Sequence, residues 1–344
     1  MNTIQNVSQR VQALADEYIP KKLHPRFRTG IEALSTKALA SLNANGRSLV
    51  MNRSTGENRI RKAVTDVRFP LLLIKIILKE FLPIRGVIRV SLDHSTFGDF
   101  TLAAFAISAG KGRALPIWSG VTRTGKGHAL LKPLLREFQI LVDQLSYQQR
   151  KRVVFVMDRW FAIPDLLTWI DDHNLKFIVR IKAGCPLGVP WESPGVTIPA
   201  GEISLPDVPV TYAGRDWRFI RSDYRPRMKG EEPWMLLTNL SKDKFTRQQI
   251  IRSYAKRFEI EEFFKDIKWI ERYEWHQIRT TKVVRIVFMF AFLGWWLLHK
   301  ACRAVVTKSR IEGDIHPKKK LSWFRSVWEY WERIRVLPLF PCFP

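Results

Sequence analysis

Four side chains that suit the handling of phosphate groups lie at fixed spacings in one uninterrupted stretch of the chain. They are Tyr254, Arg257, Glu261 and Lys268. On an α-helix, at about 100° per residue, the last three fall within about 60° of Tyr254 on one face. A carboxylate can bind a metal cation, and guanidinium and ammonium groups can bind phosphates. Taken alone, a solvated face with i, i+4 ion pairs is the commoner explanation of such a pattern.

The stretch has the signals of one continuous helix over residues 246–269. Thr246 followed three residues later by Gln249 forms a capping box, which marks the start. No glycine or proline interrupts the run, and most of its residues favour helix. The opposite face is apolar, and we expect it to pack on the core: Ile260, Phe263, Phe264 and Ile267.

Two more carboxylates, Asp93 and Asp158, follow the apolar runs 87–92 and 152–157, which predict strands. In an α/β sheet, functional groups collect at the carboxyl ends of strands. The order of elements allows the helix to bring Glu261 to the same edge. One aspartate at a strand end is most often a turn or cap residue. Two of them, together with the polar helix face and a strongly basic chain, make coincidence a poor explanation.

These three carboxylates have no accompanying cysteine or histidine ligand set, so they suit hard cations. We therefore expect Asp93, Asp158 and Glu261 to bind two Mg²⁺ or Mn²⁺ ions. Two such ions about 3.5–4 Å apart can activate a water or hydroxyl group and stabilise the leaving oxygen of a phosphodiester.

The charge of the chain points to a polyanionic partner. Its 344 residues include 57 Lys and Arg against 32 Asp and Glu, a net charge of +25 that is spread over the whole length. At 46% hydrophobic residues the chain is globular rather than disordered. Nucleic acid is the first candidate partner. A membrane-surface or ribosome-associated protein is the alternative explanation of the charge.

The cysteines and apolar runs predict a cytosolic protein that does not enter a membrane. Cys185, Cys302 and Cys342 are too few and too scattered for a disulfide framework or a zinc site. The N-terminus lacks an apolar signal region. The longest apolar run, residues 286–298, is too short to span a bilayer and predicts a buried helix.

The central part of the chain alternates strands and helices. Strands are predicted at residues 87–92, 100–108, 114–121, 152–157 and 176–181, with helices at 127–146 and 163–172. This order predicts an α/β unit with a mixed sheet. Residues 183–240 are rich in proline and short alternating stretches, which predicts an antiparallel β-rich insertion.

The two ends of the chain are predicted to be helical. The basic N-terminal part could hold a duplex by its phosphates, although a helical oligomerisation or scaffold segment explains it about as well.

The spacing of the four helix residues also resembles a known signature. Two residues separate Tyr254 from Arg257, three separate Arg257 from Glu261, and six separate Glu261 from Lys268. This spacing is similar to the signature of the DDE transposases of bacterial insertion sequences. Within them it resembles the large family numbered four, which is defined by that Tyr-Arg-Glu-Lys spacing.

Both aspartates lie in segments that are similar to the other motifs of this family. Leu92-Asp93-His94-Ser95 resembles the first motif, in which Ser or Thr follows Asp after one residue. Residues 156–161 resemble the second motif, usually Asp-Arg-Gly-Phe, with Trp160 at the place of the glycine.

The resemblance covers about residues 85–275 and implies an RNase H-like catalytic domain with a mixed sheet. The implied divisions are a helical, basic DNA-binding region at 1–82, the first part of the catalytic domain at 83–182, the β-rich insertion at 183–240, the second part of the catalytic domain at 241–278, and a helical region at 279–344.

The resemblance further implies metal-dependent DNA strand cleavage and strand transfer at the ends of an insertion sequence. Asp93, Asp158 and Glu261 would be the catalytic metal ligands, and Tyr254, Arg257 and Lys268 would bind DNA. The partner that the resemblance implies is double-stranded DNA, as element ends and as target, with a homodimer assembled on the DNA. The resemblance also implies hairpin intermediates and a flipped base stacked on an aromatic of the insertion. Trp191, Trp217 and Trp234 are candidates, although core packing is the commoner fate of a tryptophan.

Two alternatives remain at this point. An RNase H-like nuclease would need the same acids, but not the Tyr, Arg and Lys at these spacings. An inactive or domesticated DNA-binding relative would keep the basic surface without the chemistry.

Overall fold

The computed structural model describes residues 85–97, 99–110, 113–123, 131–222 and 233–270, together with Ile74, Leu78 and Leu82. For residues 265–270 it describes the backbone. Nearly all of the predicted N-terminal helical region, the whole of region 279–344 and the apolar run 286–298 lie outside the described residues.

Among the described residues, strands form one open mixed sheet in the order β3-β2-β1-β4-β5-β10-β9-β8-β6-β7. The central strands β1, β4 and β5 are parallel, and the other pairs are antiparallel. The strands are β1 (Ile88–Phe97), β2 (Phe100–Gly110), β3 (Arg113–Arg123), β4 (Val153–Met157), β5 (Lys176–Arg180), β6 (Pro186–Gly188), β7 (Thr197–Pro199), β8 (Asp207–Tyr212), β9 (Arg215–Arg221) and β10 (Met235–Thr238).

The helices of the described residues lie between these strands and after the last one. They are α1 (Leu131–Gln144), α2 (Tyr147–Arg150), α3 (Pro164–Asp172), α4 (Arg247–Ala255) and α5 (Glu259–Ile270). Short 3₁₀ turns cover Arg159–Phe161, Ala200–Glu202 and Lys256–Phe258. The predicted order of three strands, helix, strand, helix and strand is therefore confirmed, as is the α/β class with a mixed sheet.

Strand β4 is buried along its whole length, as its continuous apolar sequence predicts. Its side chains alternate between two cores. Phe155 and Met157 belong to the large core that also contains Phe138 of α1, whereas Val154 and Val156 belong to a smaller core with Ile250 of α4. Burial on both faces fixes the register of this strand, and with it the position at which the strand ends.

The described residues of the segment 183–240 contain strands β6 to β10, and these strands continue the central sheet. β10 pairs with β5 on one side and with β9 on the other. Trp217 is buried in the core, whereas Trp191 is 47% exposed.

The single helix predicted at residues 246–269 is wrong in one respect, because the segment contains two helices. The capping box of Thr246 and Gln249 starts α4 as predicted. The 3₁₀ turn Lys256–Phe258 then separates α4 from α5. α4 contacts β4 and β5, whereas the turn contacts β1, and α5 contacts β1 and β3. The turn therefore lies where the segment crosses from one pair of strands to the other.

Candidate active site

Asp93 and Asp158 lie side by side at the place where the parallel ladder of β1 and β4 stops. The last paired residues of this ladder are Leu92 and Met157, and the two aspartates follow them directly. The prediction that β1 ends at Asp93 is wrong, because β1 continues to Phe97 by antiparallel pairing with β2. Asp158 does follow the end of β4 and is the N-cap residue of a 3₁₀ turn.

Arg257 connects Asp93 to the third predicted acid. Its Nη1 donates to Oδ2 of Asp93 at 2.8 Å, and its Nη2 donates to Oε1 of Glu261 at 2.7 Å. Arg257 is only 3% exposed, while the Glu261 side chain is 40% exposed. The structure therefore gathers Asp93, Arg257 and Glu261 into one hydrogen-bonded cluster, and Asp158 lies directly after the end of the neighbouring strand β4.

Burial controls the electrostatics of Asp93. Burial raises the pKa of its carboxyl to about 6, although the Arg257 guanidinium and a hydrogen bond from the His94 backbone N–H lower it. The charges of Asp158 and Glu261 raise this pKa further. Both other acids thus act on Asp93, as expected of groups at one site.

The Arg257 guanidinium is buried, which lowers its pKa, but its neighbours more than compensate. Tyr254, Asp93, Asp158 and Glu261 together raise the pKa of Arg257 above its ordinary value. Its Cζ also lies 4.8 Å from the centroid of the Phe258 ring. The arginine is therefore a permanent buried cation among the acids.

The expectation that Tyr254 and Arg257 stand on an exposed helix face is wrong. Tyr254 is fully buried, and its ring packs on Trp234 at a centroid distance of 5.0 Å. Burial raises the pKa of Tyr254 to about 12. The physical reason is that this face of the segment turns toward the strand ends, where Arg257 finds its carboxylate partner. The predicted core residues Ile260, Phe263 and Phe264 are buried as expected.

Lys268 lies on α5, two turns beyond Glu261, in the part of the helix for which the backbone is described. Ile267, predicted to face the core, lies in the same part.

A cleft of about 630 Å³ opens beside Asp158. His94 and Trp160 form part of its wall, with ring centroids 4.5 Å apart, and the exposed residues Arg159 and Lys182 also line it. Burial lowers the pKa of His94, whereas Asp158 raises it. The cleft thus combines a carboxylate, two cations and an aromatic pair, which suits a stretch of nucleic-acid backbone.

From the sequence, no role was predicted for Lys182, and His94 and Trp160 were named only as members of the two aspartate motifs. Lys182 follows β5, the third parallel strand, so the rule that site residues follow strands applies to it as well. His94 and Trp160 are close neighbours of the two aspartates in the sequence, which was the available signal for them.

The donor chemistry of the three acids suits Mg²⁺ or Mn²⁺, but their present arrangement is closed by Arg257. Within the described part of the chain, no three carboxylate, imidazole or thiol groups form a cluster that could hold a metal ion. The guanidinium occupies one oxygen on each of two acids. The acids are thus suitable ligands by type, and an ion at Oδ2 of Asp93 or Oε1 of Glu261 would compete with the guanidinium.

A family model of the transposase DDE domain matches residues 112–297, more than half of the chain. The chain belongs to this family. The match includes two of the acids of this transposase domain, Asp158 and Glu261, and begins after Asp93. Asp93 is connected to the matched part of the chain by its place beside Asp158 and by the hydrogen bond that it accepts from Arg257.

A search of characterised proteins found no match for this transposase chain. None of the helices in the described segments has the length and apolar character needed to cross a membrane. The open mixed sheet and the few helices around it are consistent with an RNase H-like DDE transposase domain.

Proposed function

We propose that this transposase cuts phosphodiester bonds at the ends of an insertion sequence and joins the resulting 3′-hydroxyl ends to target DNA. The observation that supports this most strongly is the placement of Asp93 and Asp158 on adjacent strand positions, with Glu261 joined to Asp93 through Arg257. This groups the three acids that the family chemistry requires.

Asp93, Asp158 and Glu261 are proposed to hold two Mg²⁺ or Mn²⁺ ions. Bound there, the ions would supply an activated water or hydroxyl nucleophile and charge stabilisation for the leaving oxygen. The chain needs no covalent intermediate, because its own contribution is to place the scissile phosphate, the nucleophile and the leaving group in line.

The described cations that line the cleft are proposed to position the DNA. Arg159 and Lys182 are exposed beside Asp158, so they can contact phosphates near the scissile bond without rearrangement. Arg257 and Tyr254 are buried and would reach DNA only after a local change. Lys268 lies on α5, about two turns beyond Glu261, and is also proposed to contact DNA. Trp191 is the exposed tryptophan of the insertion and remains the better candidate of the three for stacking on a base.

The remaining parts of the proposal concern organisation. We propose that residues 1–82 bind DNA and that the catalytic domain comprises residues 83–182 and 241–278 around the insertion 183–240. The active assembly would be a homodimer on the element ends, working on DNA in the bacterial cytosol.

Cleavage of DNA that carries the flanking repeats, with and without Mg²⁺, tests this proposal. We expect strand cleavage and joined products in the presence of Mg²⁺ and neither in its absence. Cleavage without any joined product would indicate a nuclease. DNA binding with no cleavage in Mg²⁺ or Mn²⁺ would indicate a protein that only binds DNA.

A further inference from the structure

The Arg257 guanidinium bridges two of the carboxylates to which the proposed function assigns a metal ion. Its two terminal nitrogens donate to one oxygen each of Asp93 and Glu261, which come from β1 and α5. We propose that Arg257 is an internal counter-cation, which blocks metal binding at these acids until a DNA phosphate draws it away. This inference rests on the proposed function, because it takes Asp93 and Glu261 as metal ligands.

The guanidinium and a metal ion would compete for the same carboxylate oxygens, and their positive charges would repel each other. An ion that used Oδ2 of Asp93 or Oε1 of Glu261 would have to share that oxygen with a charge-assisted hydrogen bond. It would also stand within a few ångströms of a positive charge in a buried site, where repulsion is screened poorly. Metal binding in the free protein therefore includes the cost of moving the guanidinium.

Burial explains why the guanidinium stays in place when DNA is absent. Arg257 is 3% exposed, and a buried charge is tolerated only when it is paired. Asp93 is 8% exposed, so its charge must be paired as well. Each group compensates the other, so the acids keep their positions in the absence of a metal ion.

Arg257 lies in a short turn, and its neighbours are partly exposed. It belongs to the 3₁₀ turn between α4 and α5 and not to a regular helix. Its Nε has no hydrogen-bond partner among the described residues, and the neighbouring Glu261 and Phe258 are 40% and 38% exposed. A rearrangement of this short turn would therefore be enough to move the Arg257 side chain, without unfolding either neighbouring helix.

A DNA phosphate can compete with the two carboxylates for the Arg257 guanidinium. Guanidinium binds phosphate and carboxylate with the same planar fork of donors. When Arg257 transfers to a DNA phosphate, it leaves the acids with uncompensated negative charge, which favours a divalent cation. DNA and metal must then bind cooperatively, and the coupling must be equal in both directions.

Mn²⁺ titration of the full-length protein, followed by the EPR signal of free Mn²⁺, tests the competition. Arg257→Gln removes the cation and keeps a side chain of similar shape. Lys256→Gln is the matched control, because it removes one exposed positive charge at the adjacent position. A hydrogen bond to a charged group contributes about 1.5–3 kcal/mol, so we expect Arg257→Gln to bind Mn²⁺ about tenfold more tightly or better, and Lys256→Gln to match wild type within about twofold. Equal affinity in Arg257→Gln and Lys256→Gln would overturn the proposal.

Two further variants keep the result interpretable. Adding Asp93→Asn to Arg257→Gln should abolish the gain, which locates it at these acids. If circular dichroism shows that Arg257→Gln does not fold, Arg257→Lys replaces it, since an ammonium cannot bridge both carboxylates as the rigid fork does. We then expect a gain of about threefold, and no gain would contradict the proposal.

A final arm separates this inference from the proposed function. Wild-type protein saturated with a duplex of the element end should bind Mn²⁺ more tightly than free protein, after subtraction of the binding by DNA alone. The gain should vanish in Arg257→Gln. If Mn²⁺ binds equally well with and without DNA, and Asp93→Asn abolishes both, the acids are ligands and only this inference fails. If no Mn²⁺ binds even with DNA, the metal site of the proposed function fails as well.

Discussion

Asp93 and Asp158 occupy equivalent positions on two adjacent parallel strands, each directly after the last residue of the shared ladder. Asp93 lies inside a strand that continues, whereas Asp158 begins a 3₁₀ turn. One acid is therefore held by pairing to β2, and the other by the burial of β4. Two carboxylates are thus fixed next to each other by different local structures.

The cations of the cleft should contribute to DNA affinity by charge. Lys182 is exposed on the cleft beside Asp158. We expect Lys182→Ala to weaken binding of DNA of any sequence and to reduce the slope of log affinity against log salt by about one unit. Fluorescence anisotropy over a range of salt concentrations measures both. Lys151→Ala is the control, since Lys151 is exposed just before the start of β4, at the end of this strand that lies away from the cleft. An equal effect of both substitutions would show that the cleft has no special part in binding.

Arg257 should be important for stability as well as for function. Breaking a buried ion pair by removing one partner costs about 3–5 kcal/mol, because the other charge is left buried and unpaired. We expect a loss of that order for Arg257→Ala in urea denaturation, whereas Lys256→Ala should change stability by less than about 0.5 kcal/mol. A loss below about 1 kcal/mol for Arg257→Ala would mean that Asp93 finds another partner or water without difficulty.

Lys268 and Arg257 are both predicted to contact DNA phosphates, and their different environments give different expectations. Lys268→Ala should reduce the salt slope by about one unit. For Arg257→Ala we expect a larger loss with divalent metal than without it, because in the absence of metal Asp93 and Glu261 compete with DNA phosphate for the guanidinium. Anisotropy measured with Ca²⁺ and with EDTA distinguishes the two cases. Unchanged affinity and slope for Lys268→Ala would mean that this side chain is ordinary helix surface.

The sheet and its acids were largely predictable, because a buried parallel strand leaves a clear pattern. The apolar run before Asp158 predicted β4 correctly, and the rule that site residues follow strands placed Asp93 and Asp158 together. The end of β1 was not predictable in the same way. Its continuation beyond Asp93 depends on pairing with β2, which is a property of tertiary structure and not of the run itself.

The environment of the helix residues could not be predicted from periodicity. A wheel that assumes 100° per residue treats residues 246–269 as one helix, and it assigns the polar side to solvent. The 3₁₀ turn Lys256–Phe258 and the carboxylate of Asp93 together bring Arg257 into the interior. A buried arginine is favourable only when its partner is present, and that partner is 164 residues away in the sequence.

Replacement of the acids by their amides is the most direct test of the central claim, that Asp93, Asp158 and Glu261 form one metal-dependent catalytic site. Asp93→Asn, Asp158→Asn and Glu261→Gln keep the shape of each side chain and remove a negative ligand. Cleavage of labelled DNA with the flanking repeats should fall to nearly nothing in Mg²⁺ for each variant. DNA binding should persist, because it comes mainly from the Lys and Arg charge. Cys185→Ser is the control, since Cys185 is a partly buried thiol of the insertion and should leave the metal dependence unchanged. If any one of the three amide variants cleaves at close to the wild-type rate in Mg²⁺, that residue is not a ligand, and if all three do, the account of the site is wrong.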